Sequence, residues 1–143
     1  MFFHTFCICF DTKNEPDPLS QESLERINKL QRKDLSLNDE AGYIYIYKIK
    51  RFYWGFRQLY KVGRSNKPNR RIKEWSHRCG VKIELISIYP CSHMNRTEAI
   101  IHRHLRELGL ANRISACKGC GTKHREIFKA RLKTIRSVVE QWV

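Results

Sequence analysis

From residue 42 onward, the hydrophobic pattern of the chain switches between the period of two that predicts strands and the longer period that predicts helices. The segment "GYIYIYKIK" at 42–50 places three tyrosines on one side of a strand and isoleucines on the other. Alternation also predicts strands over about 58–63 and 81–89, and a short fourth strand in "REIFKA" at 125–130. The first two strands should form a hairpin around the glycine-containing segment 51–57.

Helical spacing predicts three further elements in the same region. A helix that begins near Pro68 has Ile72, Trp75 and Cys79 as its buried stripe. A second helix covers about 96–108, and a last helix follows the fourth strand. The resulting fold class is α+β, with a small, mainly antiparallel sheet of three or four strands flanked by helices.

Residues 1–40 have a different character from the rest of the chain. The polar segment 11–19 contains two prolines and predicts a linker or turn. "SQESLERINKLQRK" then predicts one short helix with Ser20 as its cap. We therefore expect an N-terminal appendage over 1–40 and a compact domain over 41–143.

The net charge of the chain limits the classes of molecule that it is expected to bind. The chain has 28 lysine and arginine residues against 14 acidic residues, a formal net charge of +14. Such an excess in a small folded domain points to a polyanion, most often nucleic acid, although ribosomal and membrane-surface proteins share it. The excess is concentrated around the junction between the second strand and the following helix. The candidate DNA-binding residues there are Arg64, Lys67, Arg70, Arg71 and Lys73. An ordinary solvated helix face is the alternative.

The apolar stretches are too short for a membrane span. The first ten residues, "MFFHTFCICF", lack the basic region and cleavage site of a signal peptide. The six cysteines are then expected to be thiols or metal ligands and not disulfides. These features predict an intracellular protein, nuclear if eukaryotic, that does not act at a membrane.

Glu98 is the most informative single residue of the sequence. It falls within the apolar arc of the second helix, whose other members are Met94, Ile101, Leu105 and Leu108. An inward carboxylate must be ion-paired, metal-bound or protonated. The alternative is a capping box in which Glu98 bonds back to the backbone of Asn95. His102, at the edge of the same arc, would by itself be a satisfied core histidine more often than a ligand.

Together these segments resemble the GIY-YIG nuclease superfamily. The resemblance covers about 42–129 and is carried by "YIY" at 43–45, "KVG" at 61–63, the helix arginine Arg71, "TEAIIHRHL" and "HREIF". Within the superfamily, the chain resembles the branch named for an open-reading-frame DNA-binding protein of bacteriophage T-five, which is found in fungal proteins linked to meiosis. The resemblance implies phosphodiester hydrolysis with Mg²⁺ or Mn²⁺ held by Glu98, water activated by a tyrosine, and charge neutralised by Arg71.

Two positions depart from the pattern of the superfamily. Lys61 stands where nuclease members have a second tyrosine, and "HREIF" stands where many of them carry an asparagine. Lysine can contact a phosphate, but it is a poor replacement for a phenol base at neutral pH. The candidate catalytic residues are Tyr45, Lys61, Arg71, Glu98 and His102. DNA binding is favoured over cleavage.

A second constellation lies in "CKGCGTKH" at 117–124. Cys117 and Cys120, with glycines beside them, can wrap one tetrahedral ion, and His124 supplies a third ligand at ordinary spacing. The spacing leaves the fourth ligand open among Cys79, Cys91, His93 and His102. The resemblance favours Cys79, because related fungal sequences pair a cysteine there with the later cysteine knuckle. A structural zinc ion is the prediction, and a pair of unligated or redox-active thiols is the alternative.

Three functions therefore remain open from the sequence. The first is a DNA-binding domain of the GIY-YIG type, and the second is an active metal-dependent endonuclease. The third, from another class, is a zinc-stabilised module that binds protein or RNA. The net charge favours the first two functions over the third, and Lys61 favours the first over the second.

Overall fold

The computed structural model describes residues 16–50, 57–112, 117 and 119–143. The elements in chain order are α1 (Gln21–Arg32), β1 (Gly42–Ile49), β2 (Gln58–Ser65), α2 (Pro68–Cys79), β3 (Ile83–Cys91), α3 (Met94–Glu107), β4 (Ile127–Ala130) and α4 (Leu132–Trp142). Most of the predicted hairpin loop, 51–56, and the N-terminal cysteines Cys7 and Cys9 lie outside the described residues.

The four described strands form one antiparallel sheet in the order β3-β1-β2-β4. This confirms the predicted α+β class and the antiparallel pairing of β1 with β2. The register sets Tyr45 opposite Gly63 and Tyr47 opposite Lys61. The two tripeptides "YIY" and "KVG" are therefore cross-strand neighbours at the centre of the sheet. None of the described helices is long and apolar enough to cross a membrane.

The alternation in β1 separates two hydrophobic clusters on opposite faces of the sheet. Ile44 and Ile46 pack with Val62 in a cluster covered by α3 and α4. Tyr45 and Tyr47 belong to the second cluster, where α2 covers the sheet with Trp75 and Cys79. Both faces of β1 and β2 are buried because helices cover the sheet on both sides, while the position of these strands inside the sheet protects their edges.

The N-terminus of α3 is capped by Asp39, which precedes β1, and its N-cap residue, His93, makes no side-chain capping bond. Asp39 accepts hydrogen bonds from the backbone amides of Asn95 and Arg96 at 2.8 and 3.0 Å. The helix begins at Met94, so Asn95 lies inside its first turn. The alternative of a capping box is therefore excluded, because Asn95 does not lie at the cap position and the carboxylate of Glu98 is bonded to Arg64.

Helix α1 forms as predicted, with the Ser20 hydroxyl accepting a hydrogen bond from the backbone amide of Ser23. It packs on α3 through polar contacts. The Ser23 hydroxyl donates to Glu107 at 2.7 Å, and Arg26 Nε donates to the same carboxylate at 2.8 Å. Ile27 is buried, whereas Leu24 is 40% exposed.

The contact between His104 and Trp142, which joins α3 to α4, predicts a stability that depends on pH. Trp142 Nε1 donates to His104 Nδ1 at 3.0 Å, and burial lowers the pKa of this imidazole. Below about pH 6.5 the unfolded chain takes up a proton at this histidine more readily than the folded protein, so stability should fall as the solution becomes more acidic. Urea unfolding of His104→Gln between pH 5 and pH 8 should show a shallower acidic decline than the wild type. The matched substitution at the exposed His77 should leave the wild-type profile, and an unchanged slope in His104→Gln would refute this assignment.

Candidate nucleic-acid interface and metal site

An open cleft of about 280 Å³ lies where β1, β2, α2 and α3 converge. Its lining combines two arginines with three carboxylates and one phenol. The lining residues are Glu40, Tyr45, Arg64, Ser65, Asn66, Arg71, Met94, Glu98 and Glu126. The fold thus brings together four of the predicted site residues, each from a different element: Tyr45, Arg64, Arg71 and Glu98.

Arg64 and Glu98 form an ion pair across the cleft. Arg64 is near the end of β2 and Glu98 is in the second turn of α3, and Arg64 Nε lies 2.7 Å from Glu98 Oε2. The Glu98 side chain is 15% exposed, against 41% for Arg64. Burial raises the pKa of the Glu98 carboxyl to about 7, although Arg64 opposes the shift. The inward carboxylate predicted from helical spacing is therefore present, and its partner is an arginine.

Of the three tyrosines on one side of β1, Tyr45 lines the cleft. Its ring stacks on that of Tyr47 with centroids 5.6 Å apart. A side chain at Gly63 would place its Cβ 2.5 Å from the Tyr45 hydroxyl, so the glycine of "KVG" leaves the space that this phenol fills. Burial raises the pKa of Tyr45 to about 12, which opposes phenolate formation at neutral pH.

The other two tyrosines on this side of β1 do not line the cleft. Tyr47 is fully buried against Trp75, with ring centroids 5.2 Å apart. Its hydroxyl has no hydrogen-bond partner among the described residues. Tyr43 is 39% exposed and does not line the cleft.

The basic residues of α2 occupy the rim of the cleft and the adjoining helix surface. Arg71 lines the cleft and keeps 56% of its side chain exposed, with Nη1 3.7 Å from Glu74. Arg70 is more exposed, at 68%, and its Nε lies 3.2 Å from the same glutamate. Lys67, the N-cap of α2, and Lys73, in its second turn, are also exposed. These cations form a positive border beside the cleft.

Lys61 is buried next to the cleft, where it contacts Glu126, a carboxylate that was not among the predicted site residues. Its ammonium forms an ion pair with Glu126 and lies 5.0 Å from the centre of the Trp75 ring. Burial raises the pKa of the Glu126 carboxyl and Lys61 lowers it, with a net downward shift. The predicted fourth strand, 125–130, included Glu126, whereas β4 begins at Ile127, and strand alternation did not identify this carboxylate as a site residue.

His102 does not line the cleft. Its Nε2 lies 2.8 Å from the backbone carbonyl of Val62, to which it donates, and its ring packs beside Phe128. The fold therefore gives His102 the role of a hydrogen-bonded core histidine, which was the alternative raised by its position on the helix.

Cys79, Cys117, Cys120 and His124 bring their ligand atoms within 4.8 Å of one another. The Cys79 and Cys120 sulfurs are 3.7 Å apart, and His124 Nε2 lies 3.5 and 3.3 Å from them. A tetrahedral zinc ion with ordinary bond lengths requires about 3.8 Å between two sulfurs and about 3.6 Å between sulfur and nitrogen. The four side chains can therefore hold one metal ion, with little change in these three separations.

Backbone geometry brings the cysteine loop to the end of α2. A Cβ at Gly119 would fall 2.2 Å from the carbonyl oxygen of Cys79, so only glycine permits this approach. Backbone bonds between Cys117 and both Gly121 and Thr122 close the loop at 2.7 and 3.1 Å. Among the open alternatives for the fourth ligand, the fold brings Cys79 to the other three and leaves Cys91, His93 and His102 outside the group.

The thiols of Cys79 and Cys120 have pKa values that are shifted in opposite directions. Burial raises the pKa of Cys79 to about 12. A hydrogen bond from the Thr122 backbone lowers the pKa of Cys120 to about 7. A bound cation would favour both thiolates, since metal binding displaces thiol protons.

A protein-family model described as "Meiotically up-regulated gene 113" matches residues 57–143, which is more than half of the chain. The chain belongs to this family. The part that matches the Meiotically up-regulated gene 113 model runs from β2 to α4 and contains all four potential metal ligands, together with Arg64, Arg71 and Glu98. No curated protein and no solved structure matches the chain.

Proposed function

We propose that this member of the Meiotically up-regulated gene 113 family is a DNA-binding domain of the GIY-YIG nuclease type. The observation that carries the proposal is the meeting of Arg64 and Arg71 in one open cleft with positive residues along its border. Guanidinium groups bind phosphate oxygens through charge-assisted and often paired hydrogen bonds. A concave site that presents two of them suits a phosphate backbone better than a neutral ligand.

The N-terminus of α2 also favours the binding of a phosphate in this cleft. Its first turn contains no acidic residue, and its N-cap, Lys67, makes no side-chain capping bond. Cations at this end of a helix are opposed by the helix dipole, whereas an anion is attracted to it. A bound phosphate would be attracted both by the arginines and by the positive end of the α2 dipole.

We also propose that the four-ligand group holds structural zinc. Three thiolates and one imidazole form a closed tetrahedral donor set of the kind that zinc occupies in structural sites. The ion would fasten the cysteine loop and the start of β4 to the end of α2. Its role would be to stabilise the domain beside the DNA-binding surface, because the donor set leaves no open position for a substrate.

The salt dependence of DNA affinity tests the proposed function. Fluorescence anisotropy with a labelled duplex should give a dissociation constant that is micromolar or tighter at low salt. The affinity should fall by a factor of roughly 10 or more when salt rises from 50 to 200 mM, since bound lysine and arginine release counterions from the duplex. Absence of binding at low salt, or an affinity that salt leaves unchanged, would remove the proposal. Equal or tighter binding to an RNA duplex would favour the RNA-binding alternative.

The second candidate function is a metal-dependent endonuclease. It is favoured by the presence of Glu98, Tyr45 and Arg71 in one cleft. Mg²⁺ or Mn²⁺, when bound, would polarise the phosphate and activate water. Glu98 would hold the ion, and Arg71 would neutralise negative charge on the phosphate. The raised pKa of Tyr45 and the presence of Lys61 at the second tripeptide weigh against efficient proton removal.

We expect the wild-type protein to bind plasmid and branched DNA without cutting either in Mg²⁺ or Mn²⁺. Gel analysis after prolonged incubation provides the measurement, with Glu98→Gln as the paired variant. Cleavage by the wild type that falls by a factor of roughly 1,000 in Glu98→Gln would establish the endonuclease function instead.

A further inference from the structure

A second open depression adjoins the cleft that contains the two arginines. It has a volume of about 440 Å³ and lies where the start of β1 meets the ends of β2 and β3. Tyr43, Asn66, Pro90 and Ser92 are among the residues that line it, and we call it the Tyr43 groove. In contrast to the cleft, the groove has no lysine, arginine or carboxylate among the described residues that line it.

The cleft and the Tyr43 groove share a wall. Asn66 lines both of them. Gly42, on the side of the groove, lies so close to Met94, on the side of the cleft, that a Cβ at residue 42 would fall 2.4 Å from the methionine sulfur. Tyr43 and Tyr45 are two residues apart on the same side of β1, which separates their Cα atoms by about 7 Å. A nucleic-acid strand that enters the cleft is therefore within reach of the groove.

The ring of Tyr43 is the exposed aromatic surface of the groove. Tyr43 is 39% exposed, whereas Tyr45 and Tyr47 are buried. Its cross-strand neighbours are Ser65 on β2 and Pro90 on β3, whose small side chains leave part of the ring open to solvent. A single exposed tyrosine is ordinary on a protein surface. The position of this ring in a neutral groove beside a cationic cleft is what favours a ligand.

A nucleobase has the chemical properties that suit this groove. Nucleobases carry no net charge, and their faces stack on aromatic side chains such as that of Tyr43. The amide of Asn66 and the hydroxyl of Ser92 can each donate and accept hydrogen bonds, which matches the mixed donors and acceptors on the edges of bases. In a paired duplex the faces of the bases are stacked on one another. Only an unpaired base can therefore reach the Tyr43 ring.

We infer that the Tyr43 groove binds an unpaired nucleobase of DNA, stacked on the Tyr43 ring, while the cleft binds the adjoining phosphates. The inference rests on the proposed DNA binding and names its substrate class, which is duplex DNA interrupted by unpaired nucleotides. Phosphate contacts in the cleft are available from any duplex and carry no such selectivity. The stacking contact adds affinity for interrupted DNA alone.

Anisotropy with three labelled DNAs tests this inference in the wild-type protein. The first DNA is a fully paired duplex, and the second contains a two-nucleotide bulge at its centre. The third contains the same bulge as two abasic sites, which keep the phosphates and lose the bases. No Mg²⁺, Mn²⁺ or chelator is added, so that the DNA stays intact and the cysteine site is undisturbed. The bulged DNA should bind roughly 10-fold more tightly than the other two, because one of its bases gains a stacking contact.

Three variants test the part played by the ring. Tyr43→Ser should lose the preference for the bulge. Tyr43→Phe should retain it, because stacking requires the ring and not the hydroxyl. Leu85→Ser is the matched control, since Leu85 is 43% exposed on β3 and lines neither the cleft nor the groove. This control should retain the wild-type preference.

The outcomes distinguish this inference from the proposed function. Equal binding of the three DNAs by the wild type, with an affinity that still falls as salt rises, overturns the stacking site and leaves the DNA-binding function intact. A preference that extends to the abasic bulge, or that persists in Tyr43→Ser, also overturns it. Tighter binding of the same bulged structure made of RNA would assign the groove to RNA and contradict the inference.

A protein that binds none of the DNAs removes both the inference and the proposed function. Because the wild-type comparison can refute the stacking site by itself, a folding defect in a variant cannot protect the inference.

Discussion

Replacement of Cys120 by serine should release the bound metal ion and lower the melting temperature by roughly 10 °C or more. The Cys120 sulfur lies 3.7 Å from that of Cys79 and 3.3 Å from His124 Nε2, so it belongs to the most compact part of the group. A serine hydroxyl is a poor replacement for a thiolate, and three remaining ligands hold zinc much more weakly than four. Loss of the ion would unfasten the cysteine loop from the end of α2. We expect this to cost roughly 3 kcal/mol of unfolding free energy, a large share of the stability of a small domain.

Cys91→Ser is the matched control for this prediction. Cys91 ends β3 and is partly buried, but it lies outside the four-ligand group. The control should keep about one zinc per chain by elemental analysis and should melt close to the wild type. Chelator should lower the melting temperature of the wild type and of Cys91→Ser, and should have little further effect on Cys120→Ser. Equal metal loss from both variants, or a metal-free wild type that melts at the same temperature as the loaded protein, would contradict the assignment.

The sequence predicted the parts of the fold that depend on periodicity. The period of two in β1 correctly separated Ile44 and Ile46 from Tyr45 and Tyr47, because a strand between two helix-covered faces must bury both sets. Helical spacing likewise predicted that Glu98 faces inward. It could not identify Arg64 as its partner, since that contact depends on how α3 lies against the end of β2.

Residues at the ends of elements escaped prediction for a related reason. Asp39 and Glu40 precede β1, where no periodic pattern specifies a direction for the side chain. Glu126 was included in the predicted fourth strand, but it lies just before β4, so alternation could not place its side chain. Their contacts with Lys61, α3 and the cleft arise only after the elements have packed. The same limit applies to the metal group. Spacing within "CKGCGTKH" supplied three ligands and left the fourth open, and the preference for Cys79 came from the family resemblance. The approach of Gly119 to the end of α2 is the contact that brings Cys79 to the other three.

We expect the second large effect, a loss of affinity for duplex DNA, from the double variant Arg64→Gln and Arg71→Gln. Both arginines line the cleft, and charge-assisted hydrogen bonds contribute about 1.5–3 kcal/mol each. Loss of two such contacts to phosphate should weaken duplex binding by roughly 100-fold or more. Glutamine is preferable to glutamate at these positions, because a new carboxylate at residue 64 would face Glu98 and could unfold the protein for a reason unrelated to DNA.

The measurement that tests the proposed interface most directly compares this double variant with Lys29→Gln combined with Arg32→Gln. The control removes the same charge from the exposed last turn of α1, away from the cleft. Anisotropy with one labelled duplex at one salt concentration provides the comparison, after thermal melting has shown that both variants are folded. We predict a loss of roughly 100-fold for the cleft variant and less than about threefold for the control. Equal losses from the two variants would show that the positive charge acts diffusely and that the cleft is not the DNA-binding site.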